Sequence, residues 1–281
     1  MGHPGGTPAG VCPLAAGLLS ALLMAPQDAA AGAWTLPQGT GQAIVTLEGK
    51  IATERFDGEG RRRGTPSFFK DELSAYLEYG LLDGLTVLVA PRFERMSIAP
   101  PTDETRTGFG HTEIGARLLV ARFDPAGPGP WQGSVFSLQA SARVPGSVDD
   151  DDPLSGANAL PEYDARIQSG TAFAAGGTTG YVDFSGGVRL RDGAPPSEAR
   201  LDVTLGIRPR PDLTLLAQAF LVETIEPGTR QYPDGAYARL QLSAVLDLST
   251  RWSVQVGASS VVAGRNALAE NALLVAVWRR F

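Results

Sequence analysis

The chain has 281 residues, a formal net charge of -6 and 19% charged residues, with 34 glycines and 21 prolines. This mild acidity argues against a nucleic-acid-binding protein, which needs a basic face. The only cysteine, Cys12, lies near the N-terminus within a predicted signal peptide, so disulfides and cysteine-ligated metals are excluded from the mature chain.

The first predicted element is a cleaved signal peptide over residues 1–31. Residues 14–25 are apolar, and small residues follow at Ala29 and Ala31. This A-x-A spacing is typical of a signal peptidase site and predicts cleavage after Ala31, with Gly32 as the first mature residue. The alternative is a membrane anchor, but the apolar run is well short of the roughly 20 residues that a spanning helix needs.

The rest of the chain is a series of stretches in which apolar and polar side chains alternate from one position to the next. In "ARLDVTLGIRP", for example, Leu201 and Val203 alternate with Arg200 and Asp202. Alternation of period two predicts β-strands that have one apolar and one polar face. Twelve such stretches are present: AIVTLEGKIATERF, KDELSAYLEYG, LTVLVAPRFER, TEIGARLLVARF, VFSLQASARV, EYDARIQSG, YVDFSGGVRLR, ARLDVTLGIRP, LTLLAQAFLVE, ARLQLSAVLDL, RWSVQVGASS and NALLVAVWRRF.

The connections between these strands are of two alternating kinds. Short ones such as "GLLDG", "RPRPD" and "DLSTR" alternate with longer ones such as "SIAPPTDETRTGFGH" and "TIEPGTRQYPDG". With an even number of strands, this alternation places all short turns and both termini on one side, as in outer-membrane barrels. A sheet in a bilayer must also have no edge, because each unpaired backbone polar group costs several kcal/mol there.

The predicted fold is therefore all-β: a closed antiparallel up-and-down transmembrane β-barrel of about twelve strands over residues 42–281. Residues 32–41 are predicted to be a periplasmic N-terminal segment that caps the periplasmic mouth of the barrel.

Two features resemble known outer-membrane proteins. The chain ends on Phe281 after an alternating strand, which resembles the assembly signal of Gram-negative outer-membrane proteins, although Arg279 stands where that family prefers an apolar or aromatic residue. The phrases "YLEYGLLDGLTVLV" and "GFGHTEIGARLLV" resemble parts of transport barrels associated with phenol meta-cleavage pathways.

After Gly32 the whole chain resembles a porin-like outer-membrane β-barrel protein of Gram-negative bacteria. The resemblance implies an integral outer-membrane location. It also implies contact with outer-membrane lipid, lipopolysaccharide and the barrel assembly machinery, and no nucleic-acid partner.

Catalytic and cofactor sites find little support in the sequence. His111 is the only histidine of the mature chain and has no recognisable serine partner, whereas a nucleophile requires a base within hydrogen-bond reach. An exposed histidine at the barrel rim is the favoured interpretation. The glycines of "GFGHTEIG" precede no helix, which excludes a dinucleotide site. The sequence predicts no enzymatic activity, catalytic residue, cofactor or metal site.

Two charge runs lie in predicted external loops. For Asp149–Asp152 a solvated anionic loop is favoured over a cation site, because calcium loops alternate their ligands around a glycine turn. For Arg61–Arg63 plain solvation is favoured over contact with lipopolysaccharide phosphates.

The polar faces of the predicted strands supply the residues expected to line the barrel interior. Charged side chains that face water set the ion selectivity of pores. Barrels of about eight strands are filled by side chains and barrels of 16–18 strands hold an aqueous channel, so twelve strands allow either state. The predicted pore-lining residues are Glu48, Lys50, Lys70, Glu72, Glu78, Arg92, Glu94, Glu113, Arg117, Arg143, Asp164, Arg166, Asp183, Arg189, Arg191, Arg200, Asp202, Arg208 and Arg239.

The predicted function is a narrow, charge-lined pathway for the passive or facilitated transport of small solutes. The alternative is a non-conducting structural or surface-recognition barrel that works through its external loops.

Overall fold

The computed structural model of the chain describes residues 32–101, 103–126, 129–147, 160–193, 195–229 and 232–281. The predicted signal peptide and the acidic run Asp149–Asp152 lie outside the described residues. In the part of the chain that is described, no helix has the length and apolar character needed to cross a membrane.

The described residues form one antiparallel sheet of twelve strands, and each strand pairs with its neighbours in sequence. Three of the strands are interrupted for one or two residues, the first of them at Pro91, which has no N–H to donate to the ladder. The strands are β1 (Gly41–Phe56), β2 (Arg62–Leu82), β3 (Leu85–Ala90 and Arg92–Ile98), β4 (Glu104–Phe109 and Thr112–Arg122), β5 (Ser134–Val144), β6 (Glu162–Ala175), β7 (Thr178–Arg191), β8 (Glu198–Arg210), β9 (Leu213–Thr224), β10 (Ala236–Asp247), β11 (Trp252–Arg265) and β12 (Ala267–Leu268 and Asn271–Arg280).

The sheet closes on itself because β12 pairs with β1. The register runs from Gln42 opposite Arg280 to Ile51 opposite Asn271. At the rim the Phe281 N–H donates to the Gly41 carbonyl (2.9 Å), and the Gly41 N–H donates to the Phe281 carbonyl (2.7 Å). The predicted closed twelve-stranded barrel is thus confirmed, and its terminal phenylalanine extends the β1–β12 ladder.

Alternate side chains of each strand differ sharply in exposure. On β12, Leu273 and Val275 are 72% and 55% exposed, whereas Leu274 and Ala276 are 7% and 1% exposed. Two stacked sheets would bury their aliphatic rows against each other, but here those rows cover the outer surface. The apolar face of the barrel wall therefore points outward, as a lipid-facing band requires.

The strands are longer than the sequence pattern predicts. β2 alone has 21 residues, whereas about 9–11 residues cross a bilayer. The stretch predicted as the long loop "SIAPPTDETRTGFGH" is mostly strand, because residues 92–98 and 104–109 pair with each other. A hairpin of polar residues can keep its backbone hydrogen bonds in water. The apolar band that faces the membrane therefore ends before the strands do.

Tight turns join the strands at the end of the barrel that holds Gly41 and Phe281. The turn between β2 and β3 consists of Asp83 and Gly84, and Gly84 has a φ of 82°. The turn between β6 and β7 is Gly176-Gly177, with φ angles of 58° and 83°. Positive φ at these positions matches the twist of two-residue hairpins, and glycine adopts it without steric cost.

Candidate functional site: the barrel interior

The predicted lining residues are buried or half-buried inside the barrel, and most of them are paired with opposite charges. Of the nineteen, all except Asp183 and Arg200 form an ion pair within the described part of the chain. The side chains share one face of each strand, because strand positions alternate between the two faces of a sheet.

One group of charges lies on β1, β2 and β3. The register sets Glu48, Glu72 and Glu94 side by side on the three strands, and carboxylates directly opposite one another are unfavourable. Lys50 and Lys70 lie opposite each other two residues further along β1 and β2, and their positive charges offset the repulsion between the carboxylates. Lys50 lies 2.9 Å from Glu48, and Lys70 lies 2.6 Å from Glu94. Arg92, which lies 4.0 Å from Glu72, supplies a third positive charge, so the two lysines and this arginine balance the three glutamates.

A second group of charges extends over β4 to β8. Glu162 accepts from Arg143 (2.5 Å) and from Arg191 (2.8 Å), and Arg189 donates to Asp164 (3.0 Å). Arg166 continues the network, since it binds Asp164 (2.6 Å) on its own strand and Asp202 on β8. Each carboxylate in this network contacts at least one guanidinium, which is the condition under which charges tolerate burial.

Arg117 on β4 forms the most deeply buried pair, with Glu78 on β2. Their side chains are 2% and 0% exposed, and the Nη1–Oε1 distance is 2.9 Å. The guanidinium also donates to Gln139 (2.9 Å) and to the hydroxyl of Tyr76 (3.2 Å). One arginine thus connects the inner faces of β2, β4 and β5.

The interior wall formed by the last strands is different in character. Ile44, Leu216, Val245, Ala276 and Trp278 form a buried apolar cluster, against which Tyr76 and Tyr181 pack. The interior is therefore asymmetric: buried charges are dense on β1 to β8 and sparse on β9 to β12.

Residues 32–40, here called the N-terminal segment, enter the barrel from the rim that holds the tight turns. Near the rim, the Gly39 N–H donates to the Gly80 carbonyl (2.9 Å), and the Gln38 N–H donates to Asp83 (3.2 Å). Further in, the Leu36 N–H donates to the fully buried Thr86 hydroxyl (2.7 Å). Gly80 is required there, because a Cβ at this position would overlap the main chain of residues 36 and 37.

The inner end of the N-terminal segment reaches the opposite wall. The Trp34 carbonyl accepts from Arg117 (3.0 Å), and the Trp34 ring meets the Tyr181 ring edge-on with centroids 5.6 Å apart. A Cβ at Gly170 on β6 would overlap that indole ring. The Ala33 N–H donates to Asp183 on β7 (2.7 Å). Since β7 lies six strands from β1 in a twelve-stranded barrel, the segment crosses the interior, which is further than a cap at the mouth would extend.

Several interior charges were missed by the sequence prediction. They occupy the same alternating positions as the predicted lining residues, so parity along each strand could have identified them. Together with the nineteen predicted lining residues they make twelve cationic and twelve anionic side chains among the described residues, from the eleven and eight that the sequence predicted. The missed residues are Glu162, Glu198, Asp247, Glu270 and Arg280.

His111 is not the exposed rim residue that the sequence analysis favours. It is 2% exposed, and its Nε2 lies 3.3 Å from the Leu160 carbonyl. The interruption of β4 turns this residue inward, and strand pairing on both sides of the break then encloses it.

The three-arginine run of the first external loop is paired with carboxylates of its own hairpin. Asp57 accepts from the main-chain N–H of Arg61 (2.8 Å) and from Arg63 (3.0 Å), and Arg62 lies 3.1 Å from Glu54. The hydrogen bond from the Arg61 N–H is the main cause of the low pKa of Asp57, which falls from 3.8 to about 2. These pairs favour a locally neutralised loop over a lipopolysaccharide phosphate site.

Comparison with known proteins finds similarity at the level of structure. No protein-family model matches the chain, and no curated protein sequence matches it. An outer membrane channel from Pseudomonas putida F1 is 15% identical, with a TM-score of 0.73, over 90% of this chain and 99% of that one. The translocator domain of the autotransporter NalP from Neisseria meningitidis is 11% identical, with a TM-score of 0.50, over 91% and 90% of the two chains.

The prediction that the chain is not an enzyme needs correction. The outer membrane channel and the autotransporter translocator domain have this same barrel architecture. One architecture is thus shared by proteins of different kinds, and a fold does not specify an activity. The exclusion of an enzyme therefore does not follow. What the comparisons establish is that this chain has the fold of outer-membrane β-barrels.

Proposed function

We propose that the chain is an integral protein of a Gram-negative outer membrane and provides a narrow, charge-lined pathway for small solutes. The observation that carries this proposal is the row of buried and half-buried arginines, lysines and carboxylates on the inner faces of β1 to β8. Side chains of this kind are costly in an apolar core but stable beside water in a lumen. The N-terminal segment crosses the same space and narrows the pathway.

The balance of interior charge indicates weak ion selectivity. The predicted lining residues and the five residues added to them comprise twelve cationic and twelve anionic side chains, and Arg200 alone among these cations forms no ion pair with the described residues. A pathway with a net charge near zero has no strong preference for anions or cations.

Single-channel recording in planar bilayers tests the proposal. Purified, folded barrel is expected to give discrete conductance steps, with a reversal potential near zero in a KCl gradient. Folded protein that inserts and gives no steps would favour the second candidate, a closed barrel that acts through its external loops. That candidate has its own support in the N-terminal segment and the paired interior charges.

We also propose that Phe281 takes part in recognition by the barrel assembly machinery. The Phe281 ring is 55% exposed at the rim, while its backbone closes the ladder to Gly41. Deletion of Phe281 is expected to lower the amount of barrel in the outer-membrane fraction several-fold, without preventing refolding of the purified chain in detergent. Unchanged membrane levels would contradict this role, and a loss of refolding would point to stability instead.

A further inference from the structure

Asp183 is a buried carboxylate without a cationic side chain beside it. It lies on the inner face of β7 and is 4% exposed. Among the residues that the structure describes, no lysine or arginine forms an ion pair with it, and its hydrogen bond comes from the Ala33 N–H (2.7 Å). A buried carboxylate with one neutral donor is costly. Arg117 acts on Asp183 electrostatically without forming an ion pair, so within the described residues no cation contacts this carboxylate.

The main chain at Gly32 lies directly against the same carboxyl group. A Cβ at Gly32 would lie within 2.9 Å of all three carboxyl atoms of Asp183, so a residue with a side chain does not fit without a shift. The next residue, Ala33, is fully buried. The carboxylate thus lies directly against the main chain of the N-terminal segment at Gly32.

Gly32 is also the residue that the cleavage pattern places at the mature N-terminus. Cleavage after Ala31 converts the neutral amide nitrogen of Gly32 into a primary amine. An α-amino group has an ordinary pKa of about 7.7–8.0, so most of it is protonated at neutral pH. A positive charge then arises beside a buried carboxylate that forms no ion pair within the described part of the chain.

We propose that the α-ammonium group of mature Gly32 binds Asp183 and anchors the N-terminal segment across the barrel interior. This inference rests on the proposed export and processing of the chain. In the uncleaved chain the same nitrogen is a neutral amide, so the ion pair forms only after processing. Asp183 is then the acceptor of a primary ammonium, and signal cleavage completes the obstruction of the lumen.

The test uses the exported, folded protein and acetic anhydride as an amine-reactive probe, with mass spectrometry to locate the label. The free amine is the form that reacts, and an ion pair that raises the pKa by one unit lowers its fraction about tenfold. The α-amine of the native barrel is therefore expected to react at least about tenfold more slowly than that of Asp183→Asn. Equal rates in the two proteins, or a mature N-terminus other than Gly32, would overturn the proposal.

Asp202→Asn is the matched control. It removes one interior carboxylate from the neighbouring strand β8, and its partner Arg166 keeps Asp164. The labelling rate of the α-amine is expected to stay close to the native rate, whereas a rise equal to that of Asp183→Asn would show a general effect of charge and overturn the pairing.

A second variant keeps the test decisive if Asp183→Asn does not fold. One glycine inserted between Ala31 and Gly32 moves the ammonium along the chain by about 3.8 Å and leaves Asp183 unchanged. Faster labelling is expected, and a native rate would contradict the proposal. The labelling rate of the α-amine does not depend on whether the barrel conducts. The ion pair and the proposed pathway are therefore tested independently, and either can be wrong while the other holds.

Discussion

Removal of residues 32–38 is expected to raise the single-channel conductance of the barrel several-fold. The N-terminal segment extends from Gly80 on β2 to Asp183 on β7, so it crosses the lumen from one wall to the opposite wall. Residues 39 and 40 are kept because they hydrogen-bond to Gly80 and so extend the ladder between β1 and β2. The measurement is the size of the conductance step in planar bilayers, with heat-modifiable migration on gels as evidence that the barrel is folded.

A variant of equal length separates obstruction from simple loss of chain. Replacement of residues 32–38 by glycine and serine removes the Trp34 ring and the Leu36 side chain but keeps the same number of residues. Its conductance is expected to lie between those of the native barrel and the deletion, with more current noise. If the deletion and the replacement both match the native conductance, the N-terminal segment does not limit passage.

Replacement of Arg117 by methionine is expected to lower the free energy of unfolding by about 3–5 kcal/mol. The reason is that Glu78, whose side chain is 0% exposed, would keep its charge without a cation beside it, and the hydrogen bond from the Tyr76 hydroxyl (2.6 Å) does not replace that charge. The Trp34 carbonyl and the Gln139 amide oxygen would each lose a charged donor as well. Urea titration of the barrel in lipid vesicles measures the change.

Two further variants give this prediction its controls. Arg210→Met removes an exposed arginine, which pairs with Asp212 at 3.1 Å in a tight turn, and an exposed pair is worth at most about 1 kcal/mol. The double variant Arg117→Met, Glu78→Met removes both buried charges and is expected to be more stable than Arg117→Met alone. A double variant no more stable than the single one would show that the Arg117–Glu78 interaction is not the source of the loss.

The pattern of the sequence was sufficient for the barrel wall. Period-two alternation is a local property, since consecutive side chains of a strand point to opposite faces whatever lies beyond them. That is why the strand number, the outward apolar face and the closure of the β1–β12 ladder could be predicted. Glu162 and Glu198 share the parity of the predicted lining residues on their strands, so the same reasoning could have included them.

The contents of the lumen depended on the tertiary structure. Whether Arg117 pairs with Glu78, or Arg166 with Asp202, depends on the register of several strands that are far apart in sequence, and no local pattern encodes this. The path of the N-terminal segment is set largely by main-chain hydrogen bonds. It also depends on Gly80 and Gly170, because the missing side chains leave the space that the segment occupies. The sequence by itself thus determined a closed wall with a polar inner face, whereas only the folded chain decided that residues 32–40 cross the lumen and reach Asp183.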